Sequence, residues 1–210
     1  MCAVDSKYYT ERLDILFPNA KCELDYQNIY QLSVAVILSA QTSDAQVNKV
    51  TPNLFKKYST VGELSIANPK ELMEYIKMLG LAERKSEYLI RFAKVVIEKF
   101  NGAIPKTIEE LITIPGIGRK TANVIVSEGY RLPGFAVDVH VTRVSKRLGL
   151  ASESDNPDKI ELKLKEYFPI ELWHKLHHQM IFMGRYLCKS QKPECDRCLF
   201  RDTCKFYLEK

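Results

Sequence analysis

The amino-acid sequence predicts an all-α protein, and two observations support this prediction. Apolar residues recur at helical spacing, as they do at Tyr30, Val34, Ile37 and Leu38. No stretch alternates apolar and polar residues as a half-buried strand would. We therefore expect about ten helices and little or no sheet. The chain has 210 residues, of which 46% are hydrophobic, and this suffices for one domain or two small ones with a packed core.

Residues that cap helices mark where several of these helices begin. Asn68-Pro69 and Asn156-Pro157 each place a capping amide before a proline at the first helical position. Thr107 is followed three residues later by Glu110, which is the pattern of a capping box. Pro52 lies inside an otherwise helical stretch, where its ring and missing N–H predict a kink or a break.

Composition and charge exclude several classes of protein. The longest uninterrupted apolar run, Val34 to Leu38, is too short to span a membrane, and the start of the chain has no apolar signal-peptide region. We expect an intracellular, cytoplasmic protein with no membrane partner. Lys and Arg number 31 against 26 Asp and Glu, and the net charge of +5 permits a polyanionic partner without requiring one.

Four of the six cysteines crowd into the C-terminal segment with the spacing Cys188-x6-Cys195-x2-Cys198-x5-Cys204. Without a secretory signal, reduced thiolates that hold a metal are favoured over disulfides. Structural zinc usually takes two close pairs of cysteines, whereas an iron–sulfur cluster accepts a single compact run of four. The spacing therefore favours an iron–sulfur cluster, with zinc as the alternative. The other two cysteines, Cys2 and Cys22, are interpreted as ordinary thiols.

A turn between two helices is predicted in the segment 111–123, which reads Leu-Ile-Thr-Ile-Pro-Gly-Ile-Gly-Arg-Lys-Thr-Ala-Asn. The turn is expected to leave the backbone N–H groups of Gly116, Ile117 and Gly118 unpaired at a helix N-terminus, where a phosphate can approach. A simple connection between helices is the alternative. The preceding proline and the following Arg119-Lys120 favour a helix–hairpin–helix, which binds the DNA backbone without reading its sequence.

Two side chains near this turn are candidates for chemistry. Lys120 lies in the first turn of the second helix, where the helix dipole favours the neutral amine that a nucleophile requires. A solvated or phosphate-binding lysine is the alternative. Asp138 is predicted to cap a helix that begins at Val139, a role compatible with presenting its carboxylate to a cleft. On that helix, His140 and Arg143 lie one turn apart on one face and fit either a phosphate contact or a helix-surface role.

Together these features resemble the endonuclease III family, the bacterial and archaeal DNA glycosylases of base excision repair that also have AP lyase activity. The resemblance rests on the hairpin 114–120, on Asp138 and on the cysteine spacing. It also rests on Leu38–Asp44, which matches the pattern L-S-x-Q-T-x-D, and on Gly80-Leu81 before a basic helix. It covers essentially the whole chain. It implies a [4Fe–4S] cluster as cofactor, a monomer, and duplex DNA with damaged bases or abasic sites as partner.

The resemblance also implies a two-domain fold and a role for each matching residue. Residues 22–132 would form a helical barrel domain, and 1–21 with 133–210 an iron–sulfur cluster domain, with DNA in the cleft between them. Lys120 matches the catalytic lysine and Asp138 the catalytic aspartate. Gln41 and Leu81 match residues that fill the gap left by a flipped nucleotide. Further DNA contacts would come from the hairpin, the Asp138 helix and the cysteine loop: Ile114, Gly116, Ile117, Gly118, Arg119, His140, Arg143, Lys189 and Lys192.

The predicted activity is removal of oxidised pyrimidines, followed by β-elimination at the abasic site. One alternative is a thymine or adenine mismatch glycosylase of the same fold, although such relatives generally lack the lysine. The adenine type also adds a large C-terminal domain, for which we expect no room after Cys204. The other alternative is a non-catalytic DNA-binding iron–sulfur protein. Val139 and the stretch Glu128–Tyr130 depart from the family pattern, and we expect them to influence which base is accepted.

Overall fold

The computed structural model describes residues 5–209, and within that range the chain forms α-helices and no β-strand. This confirms the predicted all-α class. Cys2 lies outside the described residues. The helices are α1 Ser6–Leu16, α2 Ile29–Leu38, α3 Asp44–Lys57, α4 Val61–Ser65, α5 Pro69–Ile76, α6 Ala82–Phe100, α7 Ile108–Leu111, α8 Arg119–Val124, α9 Val139–Arg147, α10 Pro157–Tyr167, α11 Trp173–Phe182 and α12 Lys205–Leu208. Between residues 5 and 209, none of these helices has the length and apolar character needed to cross a membrane.

Shorter helical segments extend or join these helices. Two of them are π-helical, Ile125–Gly129 after α8 and Met183–Leu187 after α11. The stretch Glu128–Tyr130, which departs from the family pattern, thus lies at the end of a π-helical turn. Three 3-10 turns complete the helical structure, at Lys77–Leu79, Ile170–Leu172 and Cys195–Arg197.

The predicted caps at the asparagines are confirmed. The side chain of Asn68 accepts from the N–H groups of Lys70 and Glu71, and that of Asn156 accepts from Lys159. Each of the two helices then starts with its proline. These side chains satisfy backbone N–H groups that the first turn of a helix leaves without a partner.

At the predicted capping box, only half of the reciprocal pattern forms. Thr107 accepts from the N–H of Glu110, but the Glu110 carboxylate accepts from the Thr107 hydroxyl instead of its backbone N–H. The complete box forms at Thr60 and Glu63.

Of the predicted kink or break at Pro52, the break is wrong, because α3 continues through Pro52 to Lys57. Pro52 is exposed and removes only one backbone hydrogen bond. On the opposite side of the helix, Val47, Val50 and Leu54 are buried and hold α3 against the core. The burial of this apolar face outweighs the local loss.

The chain divides into two compact units. The sequential unit is Glu23–Leu132, and the split unit combines Met1–Cys22 with Pro133–Lys210. In the sequential unit, α2 is the central helix, since every residue from Leu32 to Leu38 is buried. It contacts α3, α6, α8 and the π-helical turn. A helix that is apolar on all sides needs such enclosure.

In the split unit, α9 occupies the central position and contacts α10, α11, α12 and the second π-helical turn. The core brings together residues from both ends of the chain. The ring of Tyr9 in α1 stacks on Phe200, with 5.7 Å between ring centroids, and Cys204 is buried in the same cluster. The cysteine segment is thus part of a packed core.

Candidate active site and cysteine centre

The predicted helix–hairpin–helix is present as α7, a tight turn and α8. Gly116 adopts a φ of +87°, a conformation that side chains disfavour. A Cβ atom at this position would also lie 3.2 Å from the Cβ of Tyr88 in α6. Gly116 therefore meets two requirements, the turn conformation and the close packing of the hairpin on α6.

The prediction that Ile117 offers an unpaired N–H is wrong. Its N–H donates to the carbonyl oxygen of Ile114 at 3.1 Å, which closes the turn. The side chains of Ile114 and Ile117 are both buried, whereas Gly116 and Gly118 are exposed. The isoleucines therefore anchor the hairpin in the core, and the exposed backbone of the turn is at the two glycines.

Lys120 is exposed in the first turn of α8. Gly118 is the N-cap residue of this helix, and among the described residues no side chain caps it. Behind the turn, the buried Asn123 donates from its side-chain amide to the carbonyl of Arg119. The helix start is thus held from inside, and Lys120 projects from its exposed side.

Gln41 and Leu81 share an unusual backbone conformation. Their φ angles are +56° and +51°, in the left-handed region that residues other than glycine rarely adopt. Both residues are exposed, and Leu81 exposes 55% of its surface although it is large and apolar. The loops that carry them meet where the Thr42 hydroxyl donates to the carbonyl of Leu79 at 2.8 Å. Backbone strain of this kind clusters at functional sites.

Asp138 caps α9 as predicted, and the helix begins at Val139. Its Oδ1 accepts from the N–H groups of His140 and Val141, each at 2.8 Å. Val139 itself exposes 72% of its surface and so takes no part in the core. Asp138 belongs to the split unit, and Lys120 belongs to the sequential unit.

His140 and Arg143 are engaged with the segment that leads to the first cysteine. Arg143 donates to the carbonyls of Gly184 at 2.7 Å and Cys188 at 3.1 Å, and its Nη2 lies 3.1 Å from Nδ1 of His140. Burial lowers the pKa of His140, although the nearby Asp138 carboxylate raises it. A neutral imidazole keeps one nitrogen as an acceptor for Arg143. The DNA contact of these two residues stays a prediction.

Gly184 is a site residue that sequence reasoning missed. A Cβ atom there would lie 2.7 Å from the Cβ and 3.1 Å from the Cα of His140. Only glycine therefore lets α9 approach the second π-helical turn this closely. The available signal was a glycine inside an apolar helical stretch, which indicates close packing without identifying the neighbour.

The four cysteines of the C-terminal segment lie near one another, and Cys188 and Cys204 lie next to α9. Cys204 is buried and the other three are half-buried. Arg147, in the last turn of α9, donates to Sγ of Cys188 at 3.3 Å and to the carbonyls of Lys189 and Ser190. Its own carbonyl lies 3.3 Å from Sγ of Cys204. Arg147, also missed in the sequence, thus holds both ends of the cysteine segment.

The thiols are close enough to influence one another electrostatically. Burial, together with the thiols of Cys188, Cys204 and Cys195, raises the pKa of Cys198 to about 11, against a backbone hydrogen bond from Phe200 that lowers it. Such thiols stay protonated unless a cation compensates the charge of the thiolate, as a bound metal does.

The spacing of the sulfurs bears on the kind of metal. Between residues 5 and 209, no three of the four Sγ atoms lie all within 4.8 Å of one another. A tetrahedral zinc ion holds its sulfurs about 3.8 Å apart, from its Zn–S distance. A cluster whose irons each take one cysteine is larger. The four cysteines supply the thiolate donors that an iron–sulfur cluster or a zinc ion accepts.

The loop between the first two cysteines carries the predicted lysines. Lys189 pairs with Glu194 at 2.6 Å, and Lys192 is exposed with a φ of +49°. Because an exposed ion pair contributes little stability, Glu194 holds Lys189 only weakly. The phosphate contact of Lys189 and Lys192 stays a prediction.

Comparison with known proteins identifies the family. Residues 34–170 match the model of the HhH-GPD superfamily base excision DNA repair proteins. Endonuclease III of Bacillus subtilis is 42% identical over 199 residues, which cover 95% of this chain and 91% of that protein. Endonuclease III of Escherichia coli is 36% identical over 206 residues, with 95% and 97% covered.

Solved structures agree with these relatives. A trapped endonuclease III–DNA covalent intermediate superposes with a TM-score of 0.93 at 42% identity, covering 97% of this chain and 95% of the other. A thermostable thymine-DNA glycosylase shares the fold at 20% identity, with a TM-score of 0.86. The chain therefore belongs to the endonuclease III family of the HhH-GPD superfamily, and it is a base-excision DNA glycosylase with AP lyase activity.

Proposed function

We propose that the protein removes oxidised pyrimidines from duplex DNA with Lys120 as nucleophile, and then cleaves the abasic site by β-elimination. The observation that carries this assignment is the position of Lys120, which is exposed at the start of α8 beside the hairpin turn. A related endonuclease III, 42% identical, is known as a trapped covalent intermediate with DNA. A covalent step requires a nucleophile of this kind.

In the first step, the damaged nucleotide leaves the base stack so that its sugar becomes accessible. The neutral Nζ of Lys120 attacks C1′ of the deoxyribose as the bond between C1′ and the base breaks. The base departs with the electron pair of that bond and is protonated. The bound amine then loses one proton, and its lone pair forms the double bond to C1′ as the C1′–O4′ bond breaks. O4′ takes up a proton, which leaves a protonated iminium between Lys120 and C1′.

Asp138 assists this step as a carboxylate. Both of its capping bonds are accepted by Oδ1, so Oδ2 is the oxygen suited to take a proton from the lysine and to stabilise positive charge on the sugar. The cap fixes the orientation of the carboxylate. Capping and catalysis are thus compatible roles of one side chain.

In the second step, the iminium acts as an electron sink and makes the 2′ proton acidic. Loss of this proton moves its electron pair toward C1′, and the bond between C3′ and its phosphate oxygen breaks. Hydrolysis of the imine returns free Lys120. No redox change occurs in either step.

DNA is held through its phosphates, independently of sequence. We assign this contact to the exposed backbone at Gly116 and Gly118, to Arg119, and to Lys189 and Lys192. His140 and Arg143 support the cysteine segment through their internal hydrogen bonds. Gln41 and Leu81 occupy the gap that the flipped nucleotide leaves, because both are exposed on strained loops.

We further propose that the four cysteines hold a [4Fe–4S] cluster. When bound, the cluster supplies four iron–sulfur bonds that link the C-terminal segment to itself. The expected preparation is yellow-brown with about four irons per chain. A colourless protein with one zinc per chain would contradict this assignment.

The two units correspond, in this proposal, to a helical barrel domain and an iron–sulfur cluster domain. The protein acts as a monomer on DNA in the cytoplasm. Gel filtration of the purified protein, alone and with a short duplex, tests the stoichiometry.

Borohydride trapping on a duplex with one abasic site tests the assignment of Lys120. Borohydride reduces the iminium and leaves a stable protein–DNA adduct. We expect the adduct with the wild type and its loss in Lys120→Ala, which should still bind the duplex. Lys94→Ala, at an exposed position on α6, is the control and should trap normally. Undiminished trapping in Lys120→Ala would refute the role of this lysine.

A panel of lesion duplexes tests the substrate class. We expect oxidised pyrimidines to be excised faster than a thymine or an adenine in a mismatch. Preference for a mismatch would instead support a mismatch glycosylase.

A further inference from the structure

Lys85 is a buried lysine that takes no part in the proposed base removal or β-elimination. It lies in the first turns of α6 and exposes only 4% of its surface. Burial lowers its pKa. Burying an ammonium group costs free energy, and an apolar side chain would fill the same space without that cost. The position therefore calls for an explanation beyond packing.

The polar partners of Lys85 lie in two separate loops. Its Nζ donates to the hydroxyl of Thr42 at 2.6 Å and to the carbonyl of Leu79 at 3.2 Å. The Thr42 hydroxyl in turn donates to that same carbonyl at 2.8 Å. The three groups form a closed triangle of hydrogen bonds, and both acceptors are neutral oxygens.

These partners are the neighbours of the two strained residues. Thr42 follows Gln41 directly, and Leu79 is two residues before Leu81. The backbone N–H of Lys85 also donates to the carbonyl of Leu81 at 2.9 Å. One residue therefore holds Leu81 through its backbone and joins both loops through its side chain.

The loops that carry Gln41 and Leu81 need to be held rigidly, because each has a positive φ angle at an exposed residue. Such conformations persist only where surrounding contacts determine them. Side chains that enter a base stack must arrive together and at fixed spacing, and small misplacements are costly in rate. The triangle of hydrogen bonds supplies this constraint.

We propose that Lys85 is a positioning residue that locks the Gln41 and Leu81 loops together, so that both side chains enter the duplex as one unit. The inference rests on the proposed function of these two residues. Loss of Lys85 should affect some substrates more than others, because Lys85 acts on nucleotide flipping and not on the chemistry of Lys120. Its loss should slow excision most where flipping is most demanding.

The test compares variants that remove or keep the hydrogen bonds. Thr42→Val and Lys85→Met remove them with little change of shape, and Thr42→Ser keeps the hydroxyl. The control is Lys94→Met on the exposed side of the same helix. Single-turnover excision is measured on one oxidised pyrimidine, either paired with its complement or placed opposite an abasic analogue. Borohydride trapping on a preformed abasic site is measured alongside.

We expect excision of the paired lesion to fall about ten- to a hundredfold in Thr42→Val and Lys85→Met. The loss should be less than about threefold for the unpaired lesion and for trapping, because a lesion without a partner flips more readily. Thr42→Ser and Lys94→Met should resemble the wild type. The double variant should be no slower than the slower single variant, since both remove one network.

An equal loss on all three substrates, or unchanged excision in folded Thr42→Val, would overturn the inference. If Lys85→Met does not fold, the pair Thr42→Val and Thr42→Ser decides the question alone. Failure of the proposed function would look different from failure of this inference. In that case the wild type itself would neither excise the lesion nor form the borohydride adduct with DNA.

Discussion

At Gly184, the absence of a side chain allows the backbone of a π-helical turn to contact His140. The carbonyl of Gly184 accepts from Arg143, which also binds the carbonyl of Cys188. The glycine thus sets the distance between α9 and the start of the cysteine segment. A methyl group there would have to displace backbone as well as side chain.

Gly184→Ala should therefore destabilise the protein by about 1–3 kcal/mol, the usual cost of overpacking a close contact. We also expect less iron per chain. Denaturant unfolding and iron analysis measure the two effects.

Gly62→Ala is the matched control. Gly62 lies in α4, where the nearest atom to an added Cβ would be 3.8 Å away. Alanine in a helix without a clash should raise stability by roughly 0.5–1 kcal/mol. If both variants behave alike, the close contact at Gly184 is unimportant.

The residues that sequence reasoning missed have one property in common. Lys85 meets Thr42 across 43 positions, and Arg147 meets Cys188 across 41. The roles of Lys85, Arg147 and Gly184 come from contacts between distant segments, and no local pattern encodes them. The N–H of Ile117 was misjudged for another reason, since the hydrogen bond that closes a turn depends on its exact backbone path.

At the scale of single helices, the local sequence predicted the helix starts well. Asn68, Asn156 and Asp138 cap their helices as predicted, because a cap requires only a short polar side chain within three residues of its partner. Pro52 shows the limit of this reasoning. Its local preference is to break the helix, but the buried face of α3 prevails.

The α9 cap offers a way to separate structure from catalysis at Asp138. Asn caps helices as well as Asp does, so Asp138→Asn should change stability by only a few tenths of a kcal/mol. It cannot accept a proton, and we expect excision to slow by about 10²-fold or more. Thermal unfolding and single-turnover excision measure the two properties.

Asp138→Ala completes this comparison. It should lose the same activity and, in addition, about 1 kcal/mol of stability with the cap. Full excision by Asp138→Asn would show that the carboxylate is not required.

Asp155, just before the cap of α10, is a buried carboxylate whose ionisation stabilises the fold. Asp155 accepts from the N–H of Ser152 and pairs with Lys159 and Lys163. The hydrogen bond from Lys163 is the main reason why the pKa of Asp155 lies well below its ordinary value, and the bonds from Ser152 and Lys159 act in the same direction. A lowered pKa means that the unfolded chain binds the proton more readily than the folded one.

Asp155→Asn should therefore reduce stability at neutral pH, and the difference from the wild type should shrink as the pH falls below about 4, where the unfolded aspartate becomes protonated. Urea unfolding between pH 7 and pH 3 measures the difference. A gap that is constant over this range would contradict the role of ionisation.

At the scale of the whole molecule, each unit has its own core, which predicts a local response to loss of the proposed cluster. The cysteine segment is joined to α1 through the stacking of Tyr9 on Phe200 and through the bond from Tyr8 to Asp202. Removing iron should therefore raise amide hydrogen exchange at 188–208 and in α1. Residues 23–132 should keep their protection, because their core involves none of these side chains.

Cys22→Ser provides the control for that experiment. If Cys22 is an ordinary thiol, as the sequence indicates, this variant should retain its iron and the exchange pattern of the wild type. Loss of protection throughout residues 23–132 on iron removal would show that the two units do not unfold separately.

The split unit also has a consequence for how the protein is made. During synthesis, Phe200, on which Tyr9 of α1 stacks, is made 191 residues after Tyr9. At about 5–20 residues per second, α1 waits roughly 10–40 seconds for this partner. Residues 23–132 are complete well before then and are able to fold first. The helix α1 is therefore made long before the residue on which it packs. Until Phe200 has been made, the side of α1 that carries Tyr9 lacks this contact.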